Sequence, residues 1–428
     1  MKKEVFESSI GESYVKVTHP SGLKIYIMEK SQYTSAYAIF GTKYGSIDTC
    51  FSLNGGEKVE VPEGIAHFLE HKLFESEDGD AFSKYAKTGA SANAFTSFDR
   101  TCYLFACSDR FYENLDILLS FVQAPYFTAQ TVEKEQGIIG QEIRMYDDSP
   151  SWRVMFNMLS CMYHNHPVKI DIAGTVDSIA KIDDKLLYQC YNTFYNPSNM
   201  FICIAGNVDT DRVLNQIKEG IKPSDPVEIE RLMPEEPQTV ISNFIEQKLA
   251  VAMPMFCLGF KQKIDTPYRR LKTKICMSLL LEIICGDSSP LYADLVTKGY
   301  INDEFSAEYF NGFGYAAAVF EGESRNPQYV MRAIKEEIKR LRENGIDKKL
   351  FSAVKCGMYG EAIRRFNSVD GITMQLVECA MFDYDLFEEI KLLKTVTADD
   401  VYKRLDVFCD ENAVLSVISP KEGTQDGI

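Results

Sequence analysis

One stretch of this chain is written twice. TVDSIAKIDDKLLYQCYNTFYNPSNMFICIAG at 175–206 and TVTADDVYKRLDVFCDENAVLSVISP at 395–420 both open on Thr-Val, run through a helical segment and close on an apolar strand. The elements upstream recur in the same order. In the first half YVKVTHPSGLKIYIME reads as two strands around a Pro20-Ser21-Gly22 turn, SAYAIFGTKYG as a third, and SANAFTSFDRTCYLFAC as two more around Asp99-Arg100. Amphipathic segments span 109–124, 128–147 and 149–163, with a further helix near 178–194. In the second half KLAVAMPMFCLG is followed by helices near 268–284 and 290–298, strands DEFSAEYF and GYAAAVFEG, and helices near 327–344 and 347–366. A long-period duplication obliges each half to build its own layers. The expectation is an α+β protein of two homologous domains, each a mainly antiparallel sheet with helices packed on one face.

The halves meet at GIKPSDPVEIERLMPEEPQTV, where four prolines and a run of carboxylates mark a linker. The expected division is 1–220, a linker at 221–237, and 238–428. With 46 basic and 62 acidic residues the formal charge is −16, which argues against binding a nucleic-acid backbone. The N-terminus carries no apolar signal core, and no run of about 18 apolar residues occurs, so neither secretion nor membrane insertion is expected. The twelve cysteines are scattered through apolar runs, as reduced thiols in a cytoplasmic protein would be.

Histidine is scarce, five in 428 residues, yet GIAHFLEHKLFE at 64–75 spends two of them four apart. Ile65, Phe68, Leu69 and Leu73 have helical spacing, and Pro62 suits a helix entry, so His67 and His71 project from one helix face. Two imidazoles there can reach one zinc ion, with Glu70 flanking that face. A bare His pair is often only a surface or core feature. The order His-x-x-Glu-His is that of inverted zinc peptidases. A catalytic zinc needs a third ligand and an open position for water. TVEKEQGIIGQEIRMYDD offers Glu135 and Glu142, two helical turns apart; either carboxylate could ligate while the other supports it from behind. His164 and His166, beside Pro167, read as solvated loop residues, Glu75 and Glu77 as surface or supporting groups, and Cys102 and Cys107 as core.

With HFLEH at 67–71, ASANAFTS at 90–97, EKEQGIIGQE at 133–142, HPVKIDIAGT and YNPSNMFICIAG, the chain resembles the insulinase/pitrilysin family of inverted zinc metallopeptidases. The resemblance covers nearly the whole chain, by motif in the first half and by layout in the second. It implies a Zn2+ cofactor held by His67, His71 and Glu142. It implies Glu70 as the general base activating the zinc-bound water, and Glu135 as a second carboxylate supporting the catalytic geometry. It implies an edge strand at Asn93, Ala94, Phe95 and Thr96 that binds the peptide substrate by its backbone. The function implied is a zinc metalloendopeptidase acting on peptides or small unfolded polypeptides inside a closed chamber.

The second half has no histidine, and LLLEIICGDSSPLYADLV stands where the zinc helix would be, without ligands. Such a domain is implied to form the opposite wall of the chamber. Four domains usually complete one, so a dimer is implied: a homodimer, or a heterodimer with a homologous chain lacking the zinc motif. The family's facing arginine and tyrosine are not matched in LYADLVTKGYINDEFSAEY, where Lys298, Tyr300 and Tyr309 stand instead. That departure favours the heterodimer. Two alternatives share the sequence evidence: a non-catalytic zinc-binding subunit of a heteromeric complex, and a protease dedicated to one precursor peptide.

Overall fold

Seven consecutive apolar or small residues, Met200–Gly206, form a strand in which every residue is buried. A strand without alternation belongs at the centre of a sheet covered on both faces. A computed structural model describes residues 2–77, 79–264 and 270–421. In it this strand is the middle of a seven-stranded sheet, ordered Lys2–Glu7, Ser13–Thr18, Lys24–Glu29, Met200–Gly206, Ala36–Thr42, Thr101–Cys107, Ser91–Thr96. All neighbours are antiparallel except Met200–Gly206 beside Lys24–Glu29.

Two compact units are present. The first comprises Met1–Ile143, Asp171–Leu232 and Arg364–Glu388; the second comprises Arg144–Ile170, Met233–Ile363 and Glu389–Ile428. The second unit's sheet is ordered Phe244–Leu249, Ala413–Pro420, Met255–Lys261, Ala316–Glu323, Ser306–Asn311. It repeats the five strands of the first sheet from Lys24–Glu29 to Ser91–Thr96, down to the single parallel pair. The duplication read from the sequence is thus a duplication of topology. Of the helix expected near 268–284, residues 268 and 269 lie outside the described residues, as do 422–428; Arg270–Cys285 is helical.

Neither unit is a single uninterrupted stretch. Helix Pro150–Met162, from the first half of the sequence, packs on strands Ala413–Pro420 and Met255–Lys261 of the second unit. Helix Val369–Phe382, from the second half, packs on Met200–Gly206 and Ala36–Thr42 of the first. Alternation along Thr101–Cys107 separates the two faces of that sheet. Tyr103 and Phe105 meet Phe121 and Phe111 of helix Phe111–Val122. On the side of helix Val369–Phe382, Arg100 forms an ion pair with that helix's Glu378. The linker region holds a short strand, Ile229–Arg231, paired with Cys50–Leu53, and Arg231 Nε donates to buried Asp48 at 2.7 Å.

One expectation is corrected. His166 is not a solvated loop residue but 1% exposed within the second unit. Its Nδ1 accepts from Val168 N–H at 3.1 Å and its Nε2 lies 3.0 Å from Phe313 O. The chain returns here against the turn at Gly314, which packs on the imidazole.

Candidate metal centre

Helix Ile65–Leu73 starts where two glycines let two loops touch. Gly64 has φ 88°, and a Cβ on it would stand 2.4 Å from Ala173 O; Gly174, at φ 74°, would meet Glu63 O at 2.6 Å. Only glycine tolerates both the left-handed conformation and the approach. Ser178 Oγ–H donates to Glu63 O at 2.8 Å and ties the same corner. From this anchored start Ile65, Phe68, Leu69 and Leu73 enter the core, as their spacing predicts. His67 and His71 stack edge to face with ring centroids 4.6 Å apart.

The long helix Ala129–Asp147 brings the carboxylates. Val132, Glu135, Ile139 and Ile143 are buried along it. Two turns after Glu135, the Glu142 carboxylate lies 3.8 Å from His67 Nε2 and 3.5 Å from His71 Nε2. One donor atom from each of His67, His71 and Glu142 falls within 4.8 Å of the other two. Glu135 takes another position: its Oε1 lies 3.0 Å from His71 Nδ1, on the far side of that ring. The structure therefore separates the alternatives that spacing left open, with Glu142 at the convergence point and Glu135 behind His71.

The donor set fits a zinc ion. Two imidazole nitrogens and one carboxylate are its usual catalytic ligands. In the His67 ring, Nδ1 is buried without a hydrogen-bond partner among the described residues, and Nε2 lies 3.8 Å from Glu142, beyond hydrogen-bond reach. Burial, reinforced by the neighbouring His71, pushes the His67 pKa down to about 3, so its ring is neutral with a lone pair available. Burial opposes a charge on His71 as well, but the Glu135 hydrogen bond and the surrounding carboxylates outweigh it and raise that pKa.

Glu70 points elsewhere. Its Oε2 accepts from Thr96 Oγ1–H at 2.8 Å. Burial holds its carboxyl above the usual range, and the threonine bond partly offsets this. Thr96 ends the strand Ser91–Thr96, which lies at the edge of the first sheet and pairs only with Thr101–Cys107 among the described residues. Asn93, Ala94 and Phe95 occupy that edge, and Ala94 N–H donates to the Asn93 side chain at 2.9 Å. Reading the strand as substrate-binding missed the contact of Thr96 with Glu70. Lys72 was missed as well. It is fully buried and paired with Glu75, and its place on the apolar face between Phe68–Leu69 and Leu73 was the available signal. Cys102 and Cys107 are core residues, as expected.

Two family models match the chain: Insulinase (Peptidase family M16) over residues 53–176, which includes every residue of this site, and Peptidase M16 inactive domain over 181–358. The chain is 42% identical to the "Uncharacterized zinc protease YmfH" of Bacillus subtilis (strain 168), over 98% of this chain and 99% of the relative. The chain belongs to the insulinase (M16) family. A second relative of this M16 chain, "Uncharacterized zinc protease YmxG" of the same organism, is 26% identical over 74% of this chain and 78% of its own. The crystal structure of a putative M16-like peptidase from Alicyclobacillus acidocaldarius superposes with a TM-score of 0.92 at 32% identity, covering 98% of this chain and 99% of that one. The M16 chain is therefore similar, over 98% of its length, to a protein named a zinc protease. No single helix among its described residues is long and apolar enough to cross a membrane.

Proposed function

We propose that this chain is a zinc-dependent metalloendopeptidase that hydrolyses peptides or small unfolded polypeptides, with Glu70 as general base. The observation that carries the reading is the division of labour among the four acidic and imidazole side chains around one point. His67, His71 and Glu142 turn donors to it, while Glu70, adjacent in sequence to a ligand, keeps its carboxylate out of the donor set and anchored to Thr96. A non-catalytic structural subunit that only keeps a zinc site would have no use for such a half-buried carboxylate beside its ligands.

His67, His71 and Glu142 would hold the ion, which when bound lowers the pKa of water to about 7 and withdraws charge from the carbonyl of a peptide bond. Glu70 accepts the proton of the attacking water and passes it to the departing amine. Glu135 accepts from His71 Nδ1–H, which fixes the tautomer and leaves Nε2 free to ligate. The edge strand Ser91–Thr96 takes the substrate as an added strand. Backbone hydrogen bonds then set its register, with little demand on side-chain identity.

The assembly we propose is a dimer, with a homologous chain as the favoured partner. No arginine occurs between Pro290 and Tyr309. Lys298 is paired with Asp294 at 2.7 Å, and Tyr300 is stacked on Tyr329 with centroids 4.0 Å apart, so both are engaged locally. A partner chain would supply the missing cationic group. Twelve free thiols, nine of them buried, support the cytoplasm as the location. The test is zinc content together with turnover of a quenched fluorescent peptide, by the chain alone and with the homologous chain co-purified from native cells. Zinc at one per chain with turnover supports the reading. Zinc without turnover in either assembly would leave the structural-subunit reading in its place.

A further inference from the structure

The edge strand and the general base are joined by one side chain. Thr96 Oγ1–H donates to Glu70 Oε2 at 2.8 Å, and Thr96 stands at the last position of the strand Ser91–Thr96. Its Oγ1 is also 3.5 Å from Thr101 Oγ1, the residue directly across the ladder. Thr101 is fully buried, and its hydroxyl donates to Tyr44 O at 2.9 Å. The turn that follows is held from several sides. Ser97 N–H donates to Arg100 O at 2.8 Å, and Ser46 and Ile47 donate their backbone N–H groups to Ser97 O and Phe98 O, each at 3.0 Å. Arg100 pairs with both Asp99 and Glu378. A threonine hydroxyl carried on so constrained a backbone has little freedom, and neither has the carboxylate it grips.

Resting on the peptidase reading above, we propose that Thr96 is a positioning residue for Glu70. Its hydroxyl holds one carboxylate oxygen, so the other is presented to the attacking water in a set direction. The strand that receives the substrate backbone thereby also aims the base. The Thr96 backbone N–H also favours the Glu70 carboxylate, but two rotatable bonds separate that carboxylate from Cβ, so without the hydroxyl it loses one of its two anchors and samples more rotamers. The hydroxyl is not needed for backbone pairing of the substrate. Its loss therefore acts on the chemical step and leaves substrate capture intact.

The test compares Thr96→Val, Thr96→Ser and Glu70→Gln with the wild type, as full-length zinc-loaded protein in the assembly that cleaves a quenched fluorescent peptide. Zinc stoichiometry and melting temperature are read alongside. Valine keeps the volume and β-branching and removes the hydroxyl. The expected result is a kcat lowered about 10- to 100-fold in Thr96→Val, with KM within about twofold and zinc retained. Thr96→Ser, which restores the donor, should recover most of kcat. The proposal is overturned if Thr96→Val matches the wild type while Glu70→Gln is inactive. It is also overturned if the loss falls on KM or on zinc content, or if serine fails to rescue. A wild type no faster than Glu70→Gln would instead overturn the peptidase reading, and this proposal with it.

Discussion

Nδ1 of His71 lies 3.0 Å from Oε1 of Glu135, a carboxylate whose side chain is only 7% exposed. The pair links the motif helix to the long helix and sets which face of the imidazole is turned to Glu142. A buried carboxylate behind a ligating histidine fixes its orientation and increases its basicity. Glu135→Gln should therefore weaken zinc binding about 10- to 100-fold while leaving the fold intact. Competition with a chromophoric chelator measures this directly. An unchanged affinity would show that Glu135 has no part in holding the ligand.

Glu70→Gln should separate binding from chemistry. The amide can still accept from Thr96, but it cannot take a proton from water. Zinc should remain at the wild-type stoichiometry, and peptide turnover should fall by about 10²- to 10⁴-fold. Metal analysis and a fluorogenic assay on one preparation decide it, and turnover at the wild-type rate would remove Glu70 from its role. By contrast, Glu142→Ala should lose the metal itself, because it deletes one of three donors.

The glycine contact at the helix start makes a stability prediction. Gly64→Ala places a methyl 2.4 Å from Ala173 O on a backbone with φ 88°. Backbone must move, at a cost of about 2–3 kcal/mol, and the motif helix moves with it. A lowered urea midpoint accompanied by weaker zinc binding is expected. Gly89→Ala is the contrast: it shares a positive φ, 78°, but its Cβ would meet nothing within 4 Å, so it should cost less and spare the metal.

Acid should weaken the second unit in two stages. Burial pushes the His166 pKa from 6.5 down to about 4, and its Nδ1 accepts Val168 N–H only while the ring is neutral. A folded-state pKa below the unfolded one means that this contribution is complete above pH 6.5 and disappears as pH falls to about 4. Its size is about 3 kcal/mol. Glu236 accepts backbone N–H bonds from His164, Asn165 and His166 at 2.9, 2.7 and 2.8 Å, and pairs with Lys261. Burial acts to raise its pKa, but the ammonium and the three N–H groups override this and hold it at about 2, from 4.5. Its contribution is complete above pH 4.5 and lost toward pH 2. Burial lowers the pKa of Lys261, and the Glu236 carboxylate opposes this; the ammonium also donates to Met162 O, Pro237 O and Thr239 O at 2.8, 2.7 and 3.1 Å. The unfolding midpoint at pH 7, 5.5 and 4 should fall steeply in the wild type and more shallowly in His166→Gln. Equal slopes would refute the assignment.

Local patterns carried much of this protein. The His67–Glu70–His71 spacing, the seven-residue interval between Glu135 and Glu142, and the recurrence of 175–206 at 395–420 are all periodicities, and periodicity follows from the geometry of one helix or one strand. The helix Val369–Phe382 was harder to read: Val369, Ile372, Leu376, Val377 and Ala380 have helical spacing, but Thr373 interrupts that stripe and Met374 and Phe382 lie off it, which blurs the pattern. His166 misled because proline and polar neighbours mark a loop, and only the packing of a distant turn buries it.

By itself, then, the amino-acid sequence determined that two imidazoles share one helix face, that a pair of carboxylates share another, and that two halves build alike. These depend on residues close along the chain. It took the tertiary structure to decide that Glu142 converges on the Nε2 atoms of both histidines while Glu135 holds His71 from behind, that Thr96 holds Glu70, and that each unit includes a helical segment from the other half of the sequence. Those outcomes depend on the relative placement of distant segments, set by burial of apolar surface, which is non-directional and leaves no short-range mark in the sequence.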